Sequence, residues 1–342
     1  MQALHYLGKS QLRWQEIPDA APRATTDAIV RPLAVAACDL DRSIFAGTAP
    51  FKPPFVIGHE FTGEVLARGA DVTSVEVGDV VLASFQPSCG ACVYCRRGNS
   101  AACTEVPPTS MYGIGETAGP WSGALADAVR VPWANFNLRR LPRGVSPVAA
   151  ASASDNFADG LRAVDDELAM RPGSSVLIAG TGSIPLYTIA AARHLGAGRI
   201  TYASDNVRAL AIGERLGADC VQVDAWPRRF ATHDITMDCT QNLEGLAALL
   251  RSTAPFGLCT SASIYFGQSP PMPLGDLYMK GIRFHTGRVN SASQLDRVLA
   301  LIAAGLDPLA IEPAVYEWPD IERGFRDAPV GAKLIFVRRA RS

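Results

Sequence analysis

Residues 55–65 read Phe55-Val56-Ile57-Gly58-His59-Glu60-Phe61-Thr62-Gly63-Glu64-Val65, with Gly69 and Val72 following at fixed offsets. A strand-like apolar run leads into an imidazole and a carboxylate set side by side, hemmed in by Val56, Ile57, Phe61 and Val65. An ionisable group in such surroundings must be paired or bound to metal, or it shifts its pKa and goes neutral. A His-Glu pair alone is better explained by a structural histidine. The rest of the chain decides between the two.

Cys38 closes the apolar run from Leu33 to Ala37, upstream of the His-Glu pair. A second cluster, Cys89-Gly90-Ala91-Cys92-Val93-Tyr94-Cys95-Arg96-Arg97-Gly98 through to Cys103, sets four thiols at gaps of two, two and seven residues. That spacing suits a closed tetrahedral metal site, with Arg96 and Arg97 placed to offset thiolate charge. An iron–sulfur cluster or a redox thiol set would use the same residues. Cys220, Cys239 and Cys259 fall in predicted strands and read as core thiols. Clustered, metal-like cysteines imply a reducing, cytoplasmic compartment.

The remaining composition is that of a globular protein. A chain of 342 residues, 48% hydrophobic and 19% charged, has the length for about two domains. Its net charge of −1 gives no electrostatic case for nucleic acid or an anionic membrane. No stretch is long and apolar enough to span a bilayer. Met1-Gln2-Ala3-Leu4-His5-Tyr6 reads as a strand, so no signal peptide is expected.

Up to about residue 150 the pattern is β-rich, with short runs broken by Gly and Pro. From about 155, apolar runs of strand length alternate with helical patterns, the sign of a parallel sheet. Strands are predicted near 175–179, 199–203, 220–223, 235–239 and 257–264, and helices near 185–195, 206–216 and 243–252. The last fifty residues turn back towards strands, ending Ala332-Lys333-Leu334-Ile335-Phe336-Val337.

Gly-His-Glu-x2-Gly-x5-Gly-x2-Val, the four-cysteine lobe and the order of the parts resemble the zinc-containing medium-chain alcohol dehydrogenases. The resemblance spans nearly the whole chain. It implies an α/β protein with a β-rich, GroES-like catalytic domain at 1–153 carrying a structural-zinc lobe at 86–104. A Rossmann domain at 154–286 and a return to the catalytic domain at 287–342 would complete it. It implies a catalytic zinc on Cys38, His59 and Asp155, with Glu60 as a neighbouring residue or a transient fourth ligand. Cys89, Cys92, Cys95 and Cys103 would hold a second, structural zinc. The implied activity is hydride transfer between an alcohol or polyol and NAD(P), in a homodimer or homotetramer.

For the cofactor, Val176-Leu177-Ile178-Ala179 runs into Gly180-Thr181-Gly182-Ser183-Ile184-Pro185 and then a helix. Gly180 and Gly182 permit a tight turn and close approach of backbone to a pyrophosphate. Pro185 stands where a third glycine is expected. By the resemblance Ser204 meets the ribose hydroxyls. Asp205 beside it would repel a 2′-phosphate, which favours NAD over NADP, whereas Arg208 is either a phosphate partner or a helix-surface charge.

Two departures from the family pattern concern the reacting centre. Leu40 stands where the family carries a proton-passing Ser or Thr. Asp159 is near the expected nicotinamide position, and is either a general base or a carboxylate favoured at a helix N-terminus. Phe85 and Trp121 are candidates for an apolar substrate pocket. Two rival readings are a zinc-independent reductase of activated alkenes, which Leu40 favours, and a non-catalytic NAD(P)-binding zinc protein, supported by Pro185, Leu40 and the bulky Tyr265-Phe266 pair.

Overall fold

Ten residues, Ala28–Ala37, form a strand in the middle of a seven-stranded sheet. It pairs antiparallel with Glu60–Arg68, Val129–Val131 and Leu334–Val337. Pro32 lies within it and has no N–H to give a neighbour. It stands opposite Gly63, and the register slips between Pro32 and Ala34, so the missing donor falls at a bulge. A Cβ on Gly63 would lie 2.4 Å from the Arg31 carbonyl oxygen, so only glycine lets the two strands close here. Thus the glycine three residues after Glu60 fixes the strand that carries Glu60.

The computed structural model describes residues 1–265 and 271–339 and divides into two units. The first comprises Met1–Ala158, Asn290–Gly305 and the chain from Pro313 onward, the second Asp159–Val289 and Leu306–Glu312. Phe266 of the Tyr265-Phe266 pair lies outside the described residues.

In the second unit six parallel strands take the order Asp219–Gln222, Ile200–Ser204, Val176–Gly180, His233–Cys239, Thr253–Ser261, Arg283–Thr286. That is the doubly wound order 3-2-1-4-5-6 of a Rossmann sheet. Val176-Leu177-Ile178-Ala179 is buried throughout, as a strand covered on both faces requires. Leu177, Ala179, Leu246, Leu249 and Cys259 share one core. Asn206 and Asn242 cap the helices Val207–Arg215 and Leu243–Ser252, their side-chain oxygens accepting from Ala209 N and from Glu244 and Gly245 N. Glu312, in the short returning segment, is held by Arg208 and Arg215.

The last fifty residues are not strand alone. Ser291–Ala303 is a helix of 13 residues, with Leu295, Val298, Leu299 and Ile302 buried. Their spacing of three and four is the helical one, and strand-like residues at the chain's end masked it. Chain crossings fall at 158/159 and 289/290 rather than at 153/154 and 286/287, and the segment 306–312 joins the second unit. Of the three remaining thiols, Cys259 is buried while Cys220 and Cys239 are half-buried.

His233 opens the fourth strand of the Rossmann sheet and is buried. Its Nδ1 donates to the Ala231 carbonyl at 2.8 Å, so Nε2 accepts the Thr201 hydroxyl at 2.9 Å. Burial holds this imidazole below its ordinary value, with Arg199 adding to the effect. Its contribution to stability is therefore complete above the ordinary histidine range of about 6.5 and is lost as pH falls below it. Melting at pH 7.5 and 5.5 should show a smaller drop in midpoint for His233→Gln than for the parent. An equal drop in both would show that His233 does not titrate on unfolding.

Candidate metal and cofactor sites

Cys38 ends the central strand and caps the helix Asp39–Phe45. Its sulfur accepts from Leu40 N at 3.3 Å, and its own N–H donates to the Asp41 carboxylate at 2.9 Å. His59 enters the strand Glu60–Arg68, and Asp155 immediately precedes the helix Asn156–Leu161. The donor atoms of Cys38, His59, Glu60 and Asp155 all lie within 4.8 Å of one another. The structure therefore brings the four sequence-predicted residues together.

His59 is fully buried, with carboxylates facing both ring nitrogens. Nε2 stands 3.3 Å from Asp155 Oδ2 and 3.9 Å from Glu60 Oε1; Nδ1 stands 3.3 Å from Asp41 Oδ1. Burial opposes a charge on the ring, but Asp41, Cys38 and the bond to Asp155 outweigh it and raise its pKa well above the usual value. Zinc suits the cluster: thiolate, imidazole and carboxylate are its ligand types, and the Asp41 carboxylate lies close to Nδ1, where a ligating histidine finds its outer partner, although neither atom makes a hydrogen bond here. Asp41 was legible only as the acid three residues after the thiol.

Glu60 is engaged through both oxygens. Ser152 Oγ donates to Oε2 at 2.8 Å, and Lys333 Nζ pairs with Oε1. Lys333 also donates to Asn156 Oδ1 at 2.8 Å and is only 2% exposed. Burial pushes Glu60 up to about 7 against the pull of Lys333. Sequence reasoning missed Lys333, Ser152 and Asn156. The signal for Lys333 was present: a lone cation in the apolar strand run Ala332 to Val337 needs a buried partner.

The second cluster is equally tight, with Cys89, Cys92, Cys95 and Cys103 sulfurs within 4.8 Å of one another and no disulfide among them. Backbone donors converge on the sulfurs: Cys92 N on Cys89, Cys95 N on Cys92, and Cys89 N on Cys103, at 3.2 to 3.5 Å. Bonds from the Cys95 and Thr104 backbone pull Cys92 down to about 5. Four clustered thiols, three of them accepting N–H bonds in this way, could hold a zinc in a closed site. Arg96 and Arg97 are exposed.

Gly180, at φ +124, leads into the helix Ser183–His194 capped by Gly182. A Cβ on Gly180 would lie 2.1 Å from the Cys239 carbonyl oxygen. Ser183 and Pro185 are buried in the first turn and Ile184 is half-buried. Pro185 forfeits no helical bond there, because first-turn N–H groups have no partner in the helix. Ser204 is fully buried, with its hydroxyl bonded to Thr181 at 2.8 Å and to Asn206 N at 3.2 Å. The exposed group is Asp205, which accepts the Thr181 hydroxyl at 2.8 Å. At the strand end Asp205 is thus the exposed side chain and Ser204 the buried one. Arg208 donates to the Glu312 carbonyl at 2.8 Å.

Three further candidates separate. Phe85 lies against His59, ring centroids 5.7 Å apart. Trp121 instead donates to Ser110 Oγ at 3.1 Å and packs on Trp133 and Arg130. Leu40 is half-buried in the helix after Cys38. Asp159, expected as a possible base, pairs with Arg162, which also donates to the Gly287 carbonyl at 3.0 Å. An acid committed to a guanidinium anchors that arginine, the reading closer to its helix-end alternative.

Comparison with known proteins agrees with this chemistry. Residues 24–142 match the alcohol dehydrogenase GroES-like domain. A glutathione-independent formaldehyde dehydrogenase of Pseudomonas aeruginosa is 31% identical over 225 residues, 62% of this chain and 56% of its own. The chain spans about half the length of several curated relatives it matches, 56% here and 52% for a probable zinc-binding alcohol dehydrogenase of Mycobacterium tuberculosis. A medium chain reductase/dehydrogenase, ucsI, of Acremonium sp is 31% identical over 64% of this chain and 74% of its own. The structure of alcohol dehydrogenase TADH from Thermus sp. ATN1 superposes with a TM-score of 0.90 at 29% identity, covering 99% of this chain and 100% of that one. With its two metal-suited clusters and its Rossmann sheet, the chain belongs to the zinc-dependent medium-chain dehydrogenase/reductase family.

Proposed function

We propose that the protein is a zinc-dependent alcohol or polyol dehydrogenase that uses NAD. The observation that carries this reading is the convergence of Cys38, His59 and Asp155 beside a Glu60 already held by Lys333 and Ser152. Three donors leave a fourth position for water or a substrate oxygen. Zinc bound there would supply Lewis acidity to that oxygen, and the nicotinamide would exchange hydride with its carbon. Asp41 keeps the imidazole turned with Nε2 towards the other donors. The Phe85 ring beside His59 supplies apolar surface, and Leu40 offers no group to carry the alcohol's proton. Likeness to an enzyme named as a formaldehyde dehydrogenase puts small alcohols and aldehydes first in a substrate panel.

The test combines turnover and metal. Absorbance at 340 nm with an alcohol and polyol panel should show NAD reduction, and the purified chain should hold about two zinc. Cys38→Ser should lose one zinc and all turnover while staying folded. Cys92→Ser should lower stability, because zinc in a closed site contributes to folding directly. One zinc in the parent with turnover of activated alkenes would favour the zinc-independent reductase; two zinc with no turnover would favour a nucleotide-binding protein.

Preference for NAD rests on Asp205, exposed and held by Thr181, with Arg208 turned to Glu312. A 2′-phosphate would meet its negative charge. Asp205→Asn should move the NADP to NAD ratio of kcat/KM towards NADP by about tenfold, equivalent to about 1.4 kcal/mol. A parent that prefers NADP would overturn this assignment.

We further propose a homo-oligomer. The helix Leu274–Lys280 buries none of its residues, Leu274, Tyr278 and Met279 are exposed with Phe256, and Arg283–Thr286 is an edge strand. Large apolar side chains beside an open edge suit a second copy. Light scattering should give at least twice 36.3 kDa, and Tyr278→Lys with Met279→Lys should reduce it. A monomeric parent at micromolar concentration would refute this.

A further inference from the structure

Two consecutive residues, Asn290 and Ser291, touch both clusters' surroundings within the first unit. Asn290 precedes the helix Ser291–Ala303 at the N-cap, where asparagine ordinarily accepts from the helix's own first turn. Here its side chain makes no cap bond. Its Oδ1 accepts instead from Ala101 N at 3.1 Å, in the short turn Ser100–Ala102 that leads directly into the ligand Cys103. Ser291 is fully buried, and its hydroxyl donates to the Ser154 carbonyl at 2.7 Å. Ser154 is the residue before Asp155.

We propose that Asn290 and Ser291 are positioning residues, a strut that holds the backbone of Asp155 in register with the four-cysteine lobe. This rests on reading both clusters as zinc sites. Asp155 needs such support more than its fellow donors. Cys38 and His59 adjoin paired strands, whereas Asp155 leaves a run of turns just before a six-residue helix. The Ser291 bond fixes the carbonyl on one side of it, and Lys333 holds the Asn156 side chain on the other. The helix behind the strut is itself anchored, by buried Leu295, Val298 and Leu299 and by an ion pair of Asp296 with Arg139 at 2.7 Å. Order in the lobe is thereby transmitted to the aim of one carboxylate, and the catalytic site's affinity for its ion depends on both ends of the strut.

The test is equilibrium competition for zinc between the full chain and a graded chelator, read as successive phases of release. The phase belonging to the catalytic site is identified as the one missing in Cys38→Ser. Ser291→Ala should weaken that phase's affinity about tenfold, the lower end of the usual cost of losing a bond that supports a metal ligand, and leave the four-thiolate phase unchanged. Ser291→Thr, which keeps the hydroxyl, should restore it. Asn290→Ala should weaken the same phase, and Asn290→Asp, which keeps an acceptor oxygen, should not. If Ser291→Thr fails to fold, the Asn290 pair carries the test. Parent-like release in both alanine variants overturns the strut. An effect at Ser291 without one at Asn290 overturns the link to the lobe. A parent that binds fewer than two zinc refutes the metal reading itself, a result separate from either.

Discussion

A fully buried imidazole with a carboxylate against each ring nitrogen is the constraint around which the first unit is arranged. Left alone, such a group of charges costs more than burial of its apolar neighbours returns. Each acid around His59 therefore has a distinct place. Asp41 faces Nδ1 of the ring and accepts the Cys38 amide, so one carboxylate meets two residues of the cluster. Asp155 completes the donor set, and Glu60 is neutralised by Lys333. Cys38, Asp155 and Asp41 remain without such a cation, and a divalent ion would supply the missing charge.

Geometry at the strands serves the same end. The bulge at Pro32, the bare Gly63 and the tight pairing of Ala28–Ala37 with Glu60–Arg68 bring Ala36 opposite Glu60. The thiol at the end of one strand and the imidazole at the start of the other then meet without either side chain reaching. Rigid β structure fixes two donors, and the third arrives from a turn region held by side-chain bonds. In the second unit, glycine backbone makes the cofactor turn and the Thr181–Asp205 bond sets its acid in place before any nucleotide arrives.

Most of the fold was legible because it rests on periodicity. Strand and helix positions of the Rossmann sheet followed from apolar runs alternating with helical spacing, and the clustering of the four thiols from their gaps. What escaped were residues whose role depends on long-range pairing. Lys333 meets Glu60 across 273 positions of chain, and no local pattern ties them. Which of Ser204 and Asp205 is buried depends on long-range packing, and the Thr181 hydroxyl meets both. Asp159 gained a partner, Arg162, three residues away, a spacing that was visible but carried no weight beside the family's expectation.

The Glu60–Lys333 pair also has a consequence in time. A ribosome delivers Glu60 long before Lys333, and the entire Rossmann sheet is made between them. Until residue 333 emerges, the nascent β-rich unit holds an acid at its centre without a counter-ion and a central strand, Ala28–Ala37, without its neighbour Leu334–Val337. Until then its centre lacks that pair and that strand pairing. The Rossmann strands are consecutive in the chain, and their unit waits only for its short returning segment 306–312.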